Sequence, residues 1–482
     1  MTAAALALQL RGDVVEDGTR YPAAALAERA TDLAAIIGAH VPQGAVVAVA
    51  ATSAADHLVS HVAARHVGRS VAHLSSRTPR RPRDIELFTQ RRDSAAVGAV
   101  LADDAHATAL AGLGYSSPVA IESSLTLWSE PGAAGSGRSS SIPEGATIIH
   151  TSGSTGPPKG VVIEASALTA SLTANQRLYD WRSDDVFLNA MAPTHLAGLT
   201  NLLSAAASGV TTLMPPPFAF ADAVANAIEE WKVTVMGLVP FQLHQLLRSD
   251  RLALQGLRLV VSSAAPLTPA VIARLGQVAP ASRLVNAYGL SEAFRSLTAD
   301  IEGANDANLL GWPGPNVHAE LRDALSGATI DEGVGELYLR GPNVFAGYVG
   351  QHPHRGWVPT GDLARRTTKG YRLLGRRSNQ INVGGEKVAA ETIEEALGRL
   401  TSIPIAVAPQ LGEDGNDRVI AVAERPPAES TLQLDQLTGT GELAPSLRPS
   451  ALVMVECLPR TATGKIDRRA LNQLVATTHP TH

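Results

Sequence analysis

Ala146-Thr-Ile-Ile-His150 runs directly into Thr151-Ser-Gly-Ser-Thr-Gly-Pro-Pro-Lys-Gly160. An apolar, β-branched run that ends in a loop dense in hydroxyls and glycines is the pattern of a strand delivering a phosphate-wrapping loop. Gly153 and Gly156 let backbone N–H groups approach an anion, Ser152, Ser154 and Thr155 offer hydroxyl donors, and Lys159 offers a charge. A Walker-type loop is excluded, because two prolines precede Lys159 and Gly160 follows it, where that motif needs Gly-Lys-Ser/Thr opening a helix. Taken alone, the loop is also compatible with a solvated Ser/Gly turn.

Upstream, Ala-rich helical patterns alternate with short apolar runs, as in Ala24 to Ile37 followed by Ala45 to Ala51. This predicts βα units and a parallel sheet covered by helices. Pro131 to Ser141 reads as a flexible surface loop. The βα patterns continue to about Asp300, after which strand-like runs such as Gly335 to Arg340 lie between Gly and Pro turns and predict a small antiparallel barrel or sheet. From Ser378 the pattern is mixed again, with a helix from about Ala390 to Leu400 and strands near Ile405 and Val419. The expected fold class is α/β: a large N-terminal domain of parallel α/β sheets plus a small β-barrel subdomain, and a smaller α+β C-terminal domain.

Composition agrees. A chain of 482 residues that is 45 % apolar and 18 % charged suits two or three packed domains. The net charge of -5 has its signs interspersed, which argues against nucleic acid or a membrane surface as partner and for small molecules. Cys457 is the only cysteine, so an internal disulfide framework and a cysteine zinc site are excluded. The apolar stretch Ala3 to Leu10 has no basic leader and is too short to span a bilayer, so a cytoplasmic location is expected.

Four more segments carry chemistry. In Asn286-Ala-Tyr-Gly-Leu-Ser-Glu-Ala293, Glu292 suits Mg²⁺ on ATP phosphates, Ser291 a phosphate oxygen, and Tyr288 stacking on a base. Read alone, Glu292 would be a surface carboxylate after a turn. Trp357-Val-Pro-Thr-Gly-Asp-Leu363 and, further on, Gly375-Arg376 supply a carboxylate and a guanidinium that can clasp ribose hydroxyls. Arg377-Ser-Asn-Gln-Ile-Asn-Val-Gly-Gly-Glu-Lys-Val388 places Gly384 and Gly385 inside an apolar run, a sign of close backbone approach. Pro459-Arg-Thr-Ala-Thr-Gly-Lys-Ile-Asp-Arg468 sets Lys465 on a Gly-containing turn. His57 and His61 have metal-ligand spacing, but no third ligand is evident and a packed pair is the reading adopted.

In this order and spacing, the segments resemble the acyl-adenylate-forming (AMP-binding) superfamily of acyl-CoA synthetases, aryl-acid ligases, related amide-forming ligases and luciferases. The resemblance covers nearly the whole chain. It implies an N-terminal adenylation domain over residues 1–375, a hinge at 376–378 and a mobile C-terminal domain over 379–482. It makes Thr151 to Lys159 the phosphate loop and Asn286, Ala287, Tyr288, Gly289 and Ser291 part of the nucleotide site. By the same resemblance, Glu292 is the Mg²⁺ carboxylate, Asp362 and Arg376 the ribose clasp, Lys465 the adenylation lysine, and His195 the histidine at the acid carboxylate. The implied reaction joins ATP and a carboxylic acid into acyl-AMP and pyrophosphate. The C-terminal domain then turns, taking Lys465 away and bringing the Gly384-Gly385 face in for the second nucleophile. That nucleophile is the thiol of CoA or of a carrier protein, with a free amine as the alternative. A monomer or homodimer is expected.

The chain departs from the family pattern at Ser378, where the hinge usually has Asp or Lys, and at Leu196, where siderophore aryl-acid ligases have an Asn that meets an ortho-hydroxyl. Salicylate-type acids are therefore disfavoured. Amino acids are too, since Asn189, Ala190 and Met191 offer no acid for an ammonium. By analogy the acid pocket is assigned to Asn189, Leu196, Met236, Gly237, Leu238, Ser263, Ala264 and Gly289, apolar or small residues suited to a planar aromatic or modest acyl group.

Overall fold

The computed structural model describes residues 10–75, 82–93, 95, 97–121, 125–129, 142–151, 158–216, 218, 220–249, 252, 254–323, 326–383, 386–401, 403–411, 417–425, 432–438, 443–461 and 464–477. Ala3 to Gln9, the 131–141 loop, Ser152, Gly153, Ser154, Thr155, Gly156, Gly384 and Gly385 lie outside the described residues.

The expected N-terminal βα pattern is present. A helix covers Ala23–His40, followed by β1 (Val46–Ala50), α1 (Ala54–His66), β2 (Ser70–Ser75) and β3 (Val97–Asp103). Val46 to Ala50 is buried at every position, as befits a parallel strand covered on both faces. Strand β1 pairs in parallel with β2 and β3, and β2 pairs in parallel with β4 (Thr147–His150). Strand β4 returns as an antiparallel hairpin with β5 (Gly160–Ile163), His150 opposite Gly160. These strands form an eight-stranded sheet among the described residues.

The second sheet has fourteen strands among the described residues. After α2 (Ala165–Tyr179), its parallel part runs through β6 (Val186–Asn189), α3 (Leu196–Ala207), β7 (Val235–Leu238), β8 (Leu259–Ser263) and β9 (Arg283–Leu290). The chain then reverses into β10 (Ala293–Asp300), and every later pairing in this sheet is antiparallel, including β11 (Val358–Thr367) with β12 (Gly370–Arg376). The antiparallel region read from the sequence is thus continuous with the parallel sheet through β9 and β10. No α-helix intervenes between Asp300 and Arg376 among the described residues, and without crossover helices the strands can only return antiparallel.

Apolar packing divides near the end of β12. Buried clusters that include Tyr371 or earlier residues contain none beyond Leu373, and two further clusters begin at Ile381 and Ala406. Helix α4 (Ala390–Gly398), a three-stranded sheet and α5 (Arg468–Thr477) make up the C-terminal unit.

His57 and His61 are a packed pair, as read from the sequence. Both are buried against His73 of β2, with His57 Nδ1 2.8 Å from His73 Nδ1 and His61 Nδ1 3.1 Å from His73 Nε2. Both His73 nitrogens face other imidazoles, so the trio does not converge on a point.

Candidate active site

Strand register creates the first element of the site. Asp362 on β11 stands directly opposite Arg376 on β12, and Arg376 Nε lies 2.7 Å from Asp362 Oδ1. The other oxygen, Oδ2, accepts from the Tyr288 hydroxyl at 2.5 Å, which joins the end of β9 to the clasp. Gly361 makes the local turn with φ +73°, and its N–H donates to the buried Glu336 carboxylate, itself paired with Arg377. Burial pushes the Asp362 carboxyl up, while Arg376, Tyr288 and Lys465 favour its charged form. Burial, then the neighbouring carboxylate, also raise the Tyr288 phenol, which stays a donor.

A second element forms where the two sheets meet. The short strand Gly347–Tyr348 pairs with β5, Tyr348 opposite Val161, while Phe345 N–H donates to the Glu292 carbonyl. Tyr348 therefore bridges both sheets: its hydroxyl donates to Glu292 Oε1 at 2.8 Å, and Lys159 Nζ lies 5.1 Å from its ring centroid. Burial and the Glu292 carboxylate raise this phenol as well. Thr151 N–H donates to the Lys159 carbonyl and Lys159 N–H to Thr151 Oγ1, closing the base of the loop. Tyr348 was not singled out from the sequence. Its only local signal is the preceding Gly347, which holds φ +138°.

The third element comes from the C-terminal unit. The turn carrying Lys465 is closed by Thr461 N–H to the Lys465 carbonyl, and Gly464 holds φ +78° against Phe241. Arg460 lies 4.4 Å from the Phe241 ring centroid and donates to the Gly464 carbonyl, which docks the turn on the N-terminal unit. Lys465 keeps contact with solvent but has protein on most sides. Desolvation, then repulsion from Arg376, lower its pKa below the ordinary lysine range, while Asp362 and Glu292 act the other way. Glu391 of α4 holds the hinge: it accepts from Arg376 N–H and Asn379 Nδ2 and pairs with Arg468, and Ser378 Oγ donates to Asn379 Oδ1.

The acid-pocket candidates are sorted by the two-residue period of strands. Asn189 is in register with Gly237 across β6 and β7, and Ser263 with Ala287 across β8 and β9; all four lie on one face, under α2 and α3. Met236 and Leu238 fall on the opposite face, buried with Leu188, Val260 and Leu243, and are not brought to Gly237. Asn286 shares that opposite side and donates to the Leu309 carbonyl. Asn189 donates to the Gly198 carbonyl, and a Cβ at Gly198 would sit 2.1 Å from the Ala192 carbonyl oxygen, so only glycine lets α3 approach this closely. His195 caps α3, half-buried, and Leu196 is buried in the core beside it. Gly289 packs against the Arg295 backbone, with 2.6 Å from an added Cβ to Arg295 N, and Ser291 is half-buried. Ala264 is exposed and holds φ +72°, a conformation alanine rarely adopts and one that concentrates at functional sites.

A cleft thus gathers an acid and a guanidinium for a diol, a carboxylate beside a loop lysine, and a second lysine on a turn of the C-terminal unit. Glu292 fits a hard cation: its carboxylate is oriented by Tyr348 next to the phosphate-type loop, and one carboxylate plus phosphate oxygens is an ordinary Mg²⁺ donor set.

Comparison with known proteins agrees with this chemistry. A family model described as AMP-binding enzyme matches residues 4–349. Indoleacetate–CoA ligase of Aromatoleum aromaticum is 31 % identical over 351 residues, covering 68 % of this chain and 67 % of that protein. Malonate–CoA ligase of Arabidopsis thaliana is 28 % identical over 377 residues, covering 68 % of this chain and 60 % of that protein, so the match spans about two thirds or less of these relatives. Amide bond synthetase McbA from Marinactinospora thermotolerans superposes with a TM-score of 0.83 at 22 % identity, over 98 % of this chain and 99 % of that one. With most of its length matched to the family model and 31 % identity to one ligase, the chain belongs to the AMP-binding enzyme family.

Proposed function

We propose that the protein is an ATP-dependent carboxylic-acid ligase that forms an acyl-adenylate and then passes the acyl group to a thiol, CoA or a carrier protein. The observation that carries this reading is the meeting of Lys465 with Asp362, Arg376 and Glu292 across the domain boundary.

A carboxylate attacking the α-phosphate brings two anions together, and the barrier falls when fixed cations sit at the meeting point. Asp362 and Arg376 hold the ribose and so place the α-phosphate. Lys465 supplies positive charge where the pentavalent centre develops, and Lys159 with the loop takes the β- and γ-phosphates. His195 stands at the mouth of α3, where the acid carboxylate enters. Mg²⁺ bound at Glu292 would neutralise phosphate charge. The acid oxygen forms the new bond to phosphorus, the bond to the bridging oxygen breaks, and pyrophosphate leaves.

The second half-reaction needs the C-terminal unit to turn about residues 376–378. The division of apolar packing between Leu373 and Ile381 supports a boundary there. Gly384 and Gly385 are proposed for the face that then admits the thiol. The named relatives that act with CoA favour a thiol over an amine. Their acids differ widely, so this chain's own pocket residues decide its acid.

The test is incubation of the full chain with ATP, Mg²⁺ and a panel of acids, with CoA and simple amines offered separately and products read by mass spectrometry. Pyrophosphate and AMP that require both acid and Mg²⁺, with acyl-CoA as product, are expected. Acid-independent hydrolysis to ADP would refute the proposal, and an amide product with no thioester would reassign the acceptor.

A further inference from the structure

Three residues beyond Glu292, Arg295 turns into the interior. It is 4 % exposed and holds φ +51°, a left-handed conformation that non-glycine residues avoid. Its Nε donates to Asn175 Oδ1 at 2.8 Å and its Nη2 to Asn201 Oδ1 at 3.0 Å. The Phe294 and Tyr179 ring centroids lie 4.9 and 5.8 Å from the guanidinium. Among the described residues no carboxylate pairs with it. Tyr179 supplies no phenolate, because burial raises its hydroxyl. Amide dipoles and ring faces offset part of the cost of burying this cation, but a buried charge ordinarily has a counter-charge.

A second group lacks the same thing. Asn201 is fully buried, its Oδ1 accepts from Asn175, Tyr179 and Arg295, and its Nδ2 has no acceptor. A cation without an anion thus adjoins an N–H donor without an acceptor, and one anionic group would satisfy both.

The cluster adjoins Gly237, one of the candidate acid-pocket residues. An added Cβ on Gly237 would lie 2.9 Å from the Tyr179 hydroxyl oxygen and 3.0 Å from Asn201 Nδ2, so the cluster stands on the strand face that Asn189 and Ser263 share. Asn201 is six residues along α3 from His195, about 9 Å of helix rise. Half-buried His195 and Glu292 thus lie on the solvent side, and buried Asn201 and Arg295 on the interior side, of the same two elements.

We infer that Arg295, with Asn201, binds a second carboxylate, so that the acid adenylated by this protein is a dicarboxylic acid whose remote carboxylate lies at the base of the pocket. This rests on the adenylation reading above. The guanidinium fork matches a carboxylate, and the Asn201 amide adds a donor from the side. A monocarboxylic acid with an apolar end leaves the cation and the N–H unanswered, and sites built around buried polar groups reject such analogues strongly.

The experiment compares, on the full chain, straight-chain monocarboxylic and dicarboxylic acids of three to eight carbons, together with benzoate and benzene-1,4-dicarboxylate, by pyrophosphate release. At the best length the diacid is expected to exceed its monocarboxylic partner by on the order of 100-fold in kcat/KM. Arg295→Met is expected to collapse that ratio. Because Arg295→Met risks misfolding, Asn201→Asp is the companion variant: it places a carboxylate beside Arg295, and is expected to raise the melting temperature while abolishing the diacid preference. Equal use of both acid types by the unsubstituted protein, or a ratio unchanged in Asn201→Asp, overturns the inference and leaves adenylation standing. Pyrophosphate release with no acid of either type overturns both.

Discussion

Arg376 Nε lies 2.7 Å from Asp362 Oδ1 because β11 and β12 place the two residues directly opposite each other. The arginine is half-solvated and the aspartate buried, so the guanidinium keeps an edge open to a hydroxyl while both Asp362 oxygens are held by Arg376 and Tyr288. Asp362→Asn is expected to raise the KM for ATP by about 10- to 100-fold, the worth of hydrogen bonds to a charged group. Pyrophosphate exchange measured against ATP concentration checks this, and an unchanged KM would remove Asp362 from the nucleotide site.

Lys465→Ala is expected to slow acyl-adenylate formation by about 10²–10³-fold while largely sparing acyl transfer from a supplied acyl-adenylate. A bulky residue at Gly385 is expected to do the reverse. Pyrophosphate exchange and single-turnover transfer, run side by side, separate the two. Equal damage to both half-reactions in both variants would contradict a turning domain.

The alkaline limb of adenylation should also report Lys465. Its pKa is lowered, chiefly by desolvation, and the protonated form is the one that works. The rate from free enzyme should therefore fall as pH rises through a value below the ordinary lysine pKa of about 10.4. Lys465→Arg should move that limb upward. A profile identical in both proteins would assign the limb to another group.

Tyr348→Phe removes the hydroxyl that orients Glu292 at 2.8 Å. Loss of such a supporting hydrogen bond typically costs about 10- to 100-fold in metal affinity or activity. The Mg²⁺ concentration for half-maximal pyrophosphate release should rise accordingly, with the KM for acid little changed. An unaltered Mg²⁺ requirement would place the ion elsewhere.

Stability should decline in mild acid. His57 and His150 are buried with their pKa values lowered by desolvation to about 4, and burial likewise lowers His61 and His73. Unfolded histidines titrate near 6.5, so between about 6.5 and 4 the unfolded chain binds protons that the folded chain does not. Folding free energy is thus intact above about pH 6.5 and falls with pH by up to ~1.4 kcal/mol per unit for each such histidine. Urea unfolding at pH 7.5 and 5.5 should show a lower midpoint at 5.5. A flat profile would mean these rings are hydrated.

Local pattern carried much of this protein. Ala24 to Ile37, Ala45 to Ala51 and Gly335 to Arg340 are legible because helices and strands write their periods into consecutive residues, and all three appear near the expected bounds. The family and its motif residues were equally legible, since each motif is a short run. What the sequence left undetermined is everything that needs two distant segments at once. Strand parity splits Met236 and Leu238 from Gly237 through a register the linear chain does not display. Tyr348 meets Glu292 only because a two-residue strand pairs with β5. Arg295 reads as an ordinary strand arginine until Asn175, Tyr179 and Asn201 close over it. Burial of a charge is a property of its surroundings in space, and those surroundings come from residues up to 120 positions away.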